Sequence, residues 1–410
     1  MADTARTTRR RPKDRKDQIA RAAAESFSTL GYHAVSVENI ATEVGVSAPA
    51  LYRHYASKYD LFRVAVLALS QQLVDVTDVV ANPAAGPAAA LDQLIHALID
   101  VALRNRESGG LYRWQARYLR EPDATALLDQ LRLVNQRLQQ PLAELQPQAP
   151  LLHRQMLSAA LLSVAGGITD HHLRATVTDI TDLMTAASWA LLHTELPAPE
   201  DFTTGATGAR IFTADAGMYE AVLHASMMLF HRQGYGETSV AQIAKTAGLR
   251  ISSIYRYFPG KADILSTALR RSSDRLSAEL SVVNTNGPDP REALTQLIDI
   301  YVATSFANPE LAAIYYSEQI HLSGSDRKLL RNVQRSTIDS WVGLLRSVRP
   351  ELTATAARFL VHAAMGLVVD IGRLVHYDRP APDTAEAGTP HLAYEQACVR
   401  TLMHSALFGA

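Results

Sequence analysis

Cysteine is almost missing from this chain. Cys398 stands alone among 410 residues, so no internal disulfide can staple the fold, and such usage fits a reducing compartment. Long apolar runs are missing too: 156–168 and 359–371 are the longest, and at about 13 residues, interrupted by Ser, Gly, His or Asp, they are expected to be too short to span a bilayer. No apolar segment follows the basic N-terminus, so no signal peptide is expected and the reading is cytoplasmic. Enzyme signatures are absent. There is no P-loop, nucleophile elbow or HExxH, and Gly166-Gly167 falls inside a helical pattern, not a phosphate loop. His171 and His172 are adjacent and face apart, unlike the i, i+4 pairs that hold zinc. They read with Arg174 as a helix cap or exposed end, and His362 as a satisfied core histidine. No metal, no cofactor and no catalytic residue is expected. A net charge of -1 does not exclude nucleic acid, because local charge decides that. Residues 1–16 hold Arg6, Arg9, Arg10, Arg11, Lys13, Arg15 and Lys16 against Asp3 and Asp14.

What the chain does have is itself, twice. Residues 31–58 and 234–261 align at a constant offset of 203 with 10 identities in 28 positions, and the repeat organises everything else. Ser36 and Ser239 precede apolar-periodic runs, where a hydroxyl accepts from a helix start. Gln242 completes a capping box that Asn39 leaves weaker in the first copy. Val37, Ile40, Ala41 and Val44 share a helical face, as do Val240, Ile243, Ala244 and Ala247. Gly45 and Gly248 permit a sharp turn. A second helix follows, with Leu51 and Tyr55, or Ile254 and Phe258, facing inward. Its other face shows Tyr52, Arg53 and His54, or Tyr255, Arg256 and Tyr257. That is a helix-turn-helix whose second helix suits a DNA major groove.

The run Gly-Tyr, Ser-Val, Ile-Ala, Gly, then LYRHYASKYDLF or IYRYFPGKADIL, resembles the DNA-binding head of the TetR family of bacterial repressors. The order of parts is similar to that of a tandem, double-headed type that controls a mycobacterial mammalian-cell-entry operon. The resemblance implies an all-α fold: two tandem units, each a three-helix head plus a helical regulatory bundle. It implies that Tyr52, Arg53, Lys58, Tyr255, Arg256 and Lys261 touch base edges or phosphates, the lysines as positioning contacts. Ser36 and Ser239, with His54 and Tyr257, complete the candidate surface. The recognition helices differ where bases are read: Ser47-Ala48-Pro49-Ala50 suits close approach and thymine methyls, whereas Arg250-Ile251-Ser252-Ser253 offers a guanine-capable arginine and hydroxyls. The operator is therefore expected to be asymmetric. Arg9, Arg10, Arg11 and Lys13 form a basic arm, disordered when free, that reaches the DNA beside the first head only.

The expected domains are 1–14 (arm), 15–75 (first head), 76–195 (first regulatory bundle), 196–214 (linker), 215–278 (second head) and 279–410 (second bundle). Helical patterns cover 15–30, 89–104, 110–120, 124–139, 151–174 and 177–193, and in the second half 215–233, 291–306, 309–321, 326–348, 354–376 and 391–408. No alternating strand run competes. By order, 156–168 and 359–371 correspond to the family's eighth helix, which with the ninth joins subunits. One chain is thus expected to be a monomeric pseudo-dimer, with a homodimer as the alternative. Family members answer to a small molecule. By order its pockets would include Leu111, Trp114, Tyr118 and Leu161, and Ile314, Tyr315, Leu360 and Met365, with a lipid, sterol or acyl-CoA as effector. The predicted function is a DNA-binding transcriptional repressor on double-stranded DNA, with no membrane partner. The rival is a helical interaction scaffold in which one or both heads no longer read DNA.

Overall fold

The computed structural model describes residues 12–78, 86–198, 208–285, 289–375 and 390–409, and among them every regular element is helical. The first half runs α1 (Pro12–Ala34), α2 (Val37–Glu43), α3 (Ala48–Tyr52), α4 (Lys58–Thr77), α5 (Gly86–Arg104), α6 (Leu111–Trp114), α7 (Asp123–Leu145), α8 (Leu151–Gly167) and α9 (Val177–Leu192). The second repeats the plan: α10 (Met218–Glu237), α11 (Val240–Thr246), α12 (Ile251–Ile254), α13 (Lys261–Thr285), α14 (Pro290–Ala307), α15 (Pro309–Glu318), α16 (Gly324–Val348), α17 (Ala354–Leu374) and α18 (Pro390–Phe408). Both α6 and α15 continue as short 3₁₀ turns, Ala116–Tyr118 and Gln319–His321.

Each head has its own small core. Ile19, Phe27, Ile40, Leu51, Tyr55 and Phe62 pack in the first; Val222, Phe230, Ile243, Ile254 and Phe258 pack in the second. Both cores borrow from the bundle beneath, Leu111 and Leu119 in one, Ile314 and Leu322 in the other. That borrowing ties reader to regulator: segments 111–119 and 314–322 cannot shift without disturbing a head's packing.

A third core crosses from one half to the other, joining Leu157, Leu161 and Val164 of α8 to Leu360, Ala364 and Val368 of α17. α8 lies along α17, and α9 lies against α17 and α18. Small residues set the approach: a Cβ at Gly167 would stand 3.9 Å from the Ala363 Cα, and one at Gly366 3.4 Å from Ser163 Oγ. His153 and Tyr394 hydrogen-bond across the same seam. The 21-residue α17 is longer than its apolar run, and by length and composition it and α5 could cross a membrane. In α17, however, 67% of that stretch is buried in the protein, which is what a core helix shared by two bundles requires.

Several elements depart from the sequence reading. α1 starts at Pro12, so Lys13 belongs to a helix and not to the arm; Arg9, Arg10 and Arg11 lie outside the described residues. The expected helix over 110–120 is broken at Gln115. The helix expected over 151–174 stops at Gly167, and the chain then carries Asp170 inward. His171, expected at an exposed end, is 8% exposed and its ring meets Phe359 and His362. Burial holds both imidazoles neutral, at about 2 for His171 and about 4 for His362. The end of the linker is anchored: Arg210 pairs with buried Glu310 (2.7 Å), the Ile211 amide donates to Asn308 Oδ1 (2.8 Å), and Phe212 is fully buried. Cys398 is a buried free thiol, pushed up to about 11.

Candidate DNA interface and effector cavity

The two readers fold by the same local rules. Ser36 Oγ accepts from the Asn39 amide (3.3 Å) and donates to Glu38 (2.8 Å), whereas Ser239 and Gln242 complete the reciprocal capping box. Gly45 and Gly248 sit at φ 68° and 67° and close the turn. Ser47 caps α3 by accepting from the Ala50 amide (3.3 Å), and Pro49 occupies its first turn. Arg250 stands at the cap of α12 with no side-chain bond. Inward, Tyr55 and Phe258 are buried, and Tyr55 donates to the Lys16 carbonyl (3.1 Å).

Turned outward are Pro49, Tyr52, Arg53 and His54 in one head, and Arg250, Ile251, Ser252, Tyr255, Arg256 and Tyr257 in the other. Tyr52 is 45% exposed and Tyr255 54%, too much for core aromatics. Among the described residues no hydrogen bond or ion pair engages the Arg53, Arg250 or Arg256 guanidinium groups. Unpaired arginines beside exposed tyrosines form a surface suited to phosphates and base edges. Ala48 is half-buried. Lys58 and Lys261 are placed differently. Lys58 Nζ donates to the His33 carbonyl (2.9 Å) and Lys261 Nζ to that of Thr238 (2.6 Å), each above a tyrosine ring, Tyr32 or Tyr235. Burial lowers both lysines. They clamp the end of their own head's first helix, a role that sequence spacing does not reveal.

Beneath the heads the halves brace one another. Gly31 (φ 74°) and Gly234 (φ 84°) are repeat counterparts; a Cβ on the first would come within 2.2 Å of Ile320, and one on the second within 2.8 Å of Tyr118. Each head therefore rests against the other half's regulatory segment. Arg117 bonds Glu318 (3.0 Å), Ser317 Oγ (2.7 Å) and the Phe230 carbonyl (3.1 Å). Glu318 is fully buried. His33 faces Glu237 at 3.6 Å across the two heads. Deeper still, Arg113 is held between Asp170 of its own half (2.7 Å) and Asp370 of the other (2.6 Å), while Trp114 Nε1 donates to Asp170 (2.9 Å). Burial opposes the Arg113 charge, but the two carboxylates outweigh it and raise the group above its ordinary value. Burial raises Asp170, and Arg113 pulls it back.

The sequence reading placed the halves against each other but missed the charges buried between them, although a signal was present. At the offset of 203, Arg113 corresponds to Tyr316 and Asp370 to Gly167, so the repeat is broken where the charges sit. The breaks become meaningful only when the halves face each other.

The bundles differ in their cavities. The second holds one of about 170 Å³, bounded by Tyr315, Tyr316, Tyr301, Gln334, His362 and Met365 among others. The corresponding cleft in the first is about 20 Å³. Of the residues expected to line pockets, Tyr315 and Met365 do. Leu111 and Ile314 lie in the head cores, Leu161 and Leu360 in the shared core, Trp114 stacks on Tyr316 across the seam (4.2 Å), and Tyr118 stacks on Tyr32 (5.4 Å). Order along the chain placed them on the correct helices but not on the correct face.

Comparison with known proteins bears on both halves. The sequence pattern described as bacterial regulatory proteins, tetR family, matches residues 19–65 and 222–268. The transcriptional repressor KstR2 of Rhodococcus jostii is 28% identical over 152 residues, covering 37% of this chain and 70% of that protein. The transcriptional activator FasR of Mycolicibacterium smegmatis is 45% identical over 67 residues, covering 16% and 29%. A TetR-family regulator structure from Bordetella parapertussis superposes with a TM-score of 0.38 at 21% identity, over 47% of this chain and 96% of that one. None of these relatives is named as a mammalian-cell-entry regulator. Two tetR-family readers matched on one polypeptide, with relatives that are DNA-binding transcriptional regulators and not enzymes, show a chain built as two TetR-type units in tandem.

Proposed function

We propose that one chain is a self-sufficient pseudo-dimer: its two unlike heads grip neighbouring major grooves of an asymmetric operator and repress transcription in the bacterial cytoplasm at the nucleoid. The observation that carries this reading is the pairing of unlike reading faces with an unlike seam. Arg113 needs one carboxylate from each half. A first half pairing with its own copy would offer two guanidinium groups and a Gly167 in place of each Asp370. Helix-turn-helix proteins usually present two recognition helices about 34–36 Å apart, and a covalent link supplies the second at high effective concentration. Arg53, Tyr52 and His54 read one half-site, while Arg250, Ser252, Tyr255 and Arg256 read the other. Pro49, Ala48, Ser47 and Ile251 lie close against the groove. Ser36 and Ser239 cap the helix that precedes each reading helix, and Lys58 and Lys261, which clamp the end of each head's first helix, lie beside the DNA backbone as positioning contacts.

Release follows from a small apolar effector in the regulatory bundle, which acts only as far as it binds the DNA-free state better. A lipid, sterol or acyl-CoA would need more room than 170 Å³, since sites for drug-sized ligands typically run from about 300 Å³ upward.

Selection of bound DNA from a random pool tests the reading. The expected result is one site of two dissimilar halves spaced by one helical turn. A perfect inverted repeat would contradict it, as would a single short half-site.

A further inference from the structure

The halves have diverged in a way that gives the two heads one common input. We infer that the cavity of the second half is the single effector site, that it takes a compact, uncharged, ring-shaped molecule, and that its occupancy reaches the first head through Trp114 and Ile320. This rests on the regulator reading above and specifies its control.

The ligand class follows from size and charge. At about 170 Å³ the cavity is close to the roughly 150 Å³ void known to admit benzene. None of the residues lining it is Lys, Arg, Asp or Glu. Its polar groups are neutral: tyrosine hydroxyls, the amides of Gln334 and Asn308, and an imidazole that burial holds uncharged. An anion brought here would lose its hydration with no counter-charge in return. A six-membered ring carrying one hydroxyl fits both the volume and the hydrogen-bonding partners.

The relay follows from what the cavity wall touches. Tyr315 and Tyr316 stand on α15, which packs directly on α10 of the second head. Beneath the first head the corresponding cleft is only about 20 Å³, yet two contacts from the same wall reach that head. Tyr316 stacks on Trp114 with rings 15° from parallel. Trp114 lies between Leu111 and Leu119, which are buried in the first head's core. Beyond the end of α15, Ile320 abuts Gly31, where the first helix of that head turns. The repeat explains the asymmetry, because the first half has Arg113 where the second has Tyr316. An arginine committed to Asp170 and Asp370 fills the place of a cavity wall. The first half has become the reader of its neighbour's site.

The full chain with p-cresol as probe, and benzoate as an anion of similar size, provides the test. Calorimetry is expected to give one p-cresol per chain, no benzoate binding, and no p-cresol binding in Ala312→Phe, which fills the cavity. Amide exchange at 31–35 and at 234–238 is expected to change by about fivefold or more on binding, a typical coupling between linked sites. In the Trp114→Leu/Ile320→Ala double variant, p-cresol still binds and still alters 234–238, but the response at 31–35 is lost. Trp114→Phe alone keeps both responses, since a ring remains to stack. Two molecules bound per chain, none bound, benzoate bound as well as p-cresol, or a wild-type response at 31–35 in the double variant would each overturn the inference. None of these readouts requires DNA. A chain that passes them yet selects no DNA sequence would refute the regulator reading and leave the relay standing.

Discussion

Replacing Arg113 by methionine is expected to cost the protein about 3–5 kcal/mol, the usual loss when one partner of a buried ion pair is removed. Its side chain is 7% exposed and the carboxylates it pairs are 9% and 18% exposed, so water cannot take over its role. Asp170 would keep the Trp114 donor, but Asp370 would lose the guanidinium that stands 2.6 Å from it. The loss should appear as a lower urea midpoint and as separation of the α8 and α17 faces, since Gly166 lies directly under the guanidinium, where a Cβ would stand 3.0 Å from it. Adding Asp170→Asn and Asp370→Asn to Arg113→Met should recover most of the stability, because a neutral seam avoids the unpaired charges. If the single variant unfolds at the wild-type midpoint, the Arg113 pairs with Asp170 and Asp370 do not hold the halves together.

Loss of operator binding in the arginine variants is the second large effect. Arg53→Ala and Arg256→Ala should each weaken the complex by about tenfold or more, the worth of one good arginine contact to a base or phosphate. The double variant should lose about a hundredfold or more if the heads act on separate half-sites and their contributions add. Both arginines are exposed and unpaired among the described residues, so folding should be unaffected within about 0.5 kcal/mol. Fluorescence anisotropy on the selected site at near-physiological salt reads the affinities. Arg250→Ala should additionally relax base preference at one position of the second half-site, which the same selection would show. The two heads should not respond alike, because α3 begins with Ala48 and Pro49 and α12 begins with Ile251 and Ser252.

Much of this was legible in the chain before any coordinates. The heads are local structures, set by caps, a glycine turn and a 3.6-residue period, and Ser239, Gly248, Tyr55 and Phe258 occupy the places those rules assign. The pairing of α8 with α17 was legible through the family resemblance, by which both segments correspond to the helix that joins subunits, and their apolar runs on more than one face agree with burial on two sides. What escaped was everything decided by juxtaposition. The kink that ends α8 at Gly167 lets Asp170 reach Arg113, and neither residue signals the other across 57 positions. Lys58 and Lys261 read as DNA contacts by the family resemblance, and nothing in their spacing shows that their ammonium groups meet backbone carbonyls, partners that carry no sequence identity. The cavity could not be placed by order alone. It depends on which of two equivalent positions, Arg113 or Tyr316, carries a charge that must be buried in company.

The central claim is that a single polypeptide supplies both readers to one operator. Sedimentation of the chain with one equivalent of its selected duplex tests it most directly. The account predicts a complex whose protein mass is that of one 44.8 kDa chain, with no dependence on excess protein near the binding constant. A complex holding two chains on one operator, or a free protein that exists only as a dimer, would contradict it.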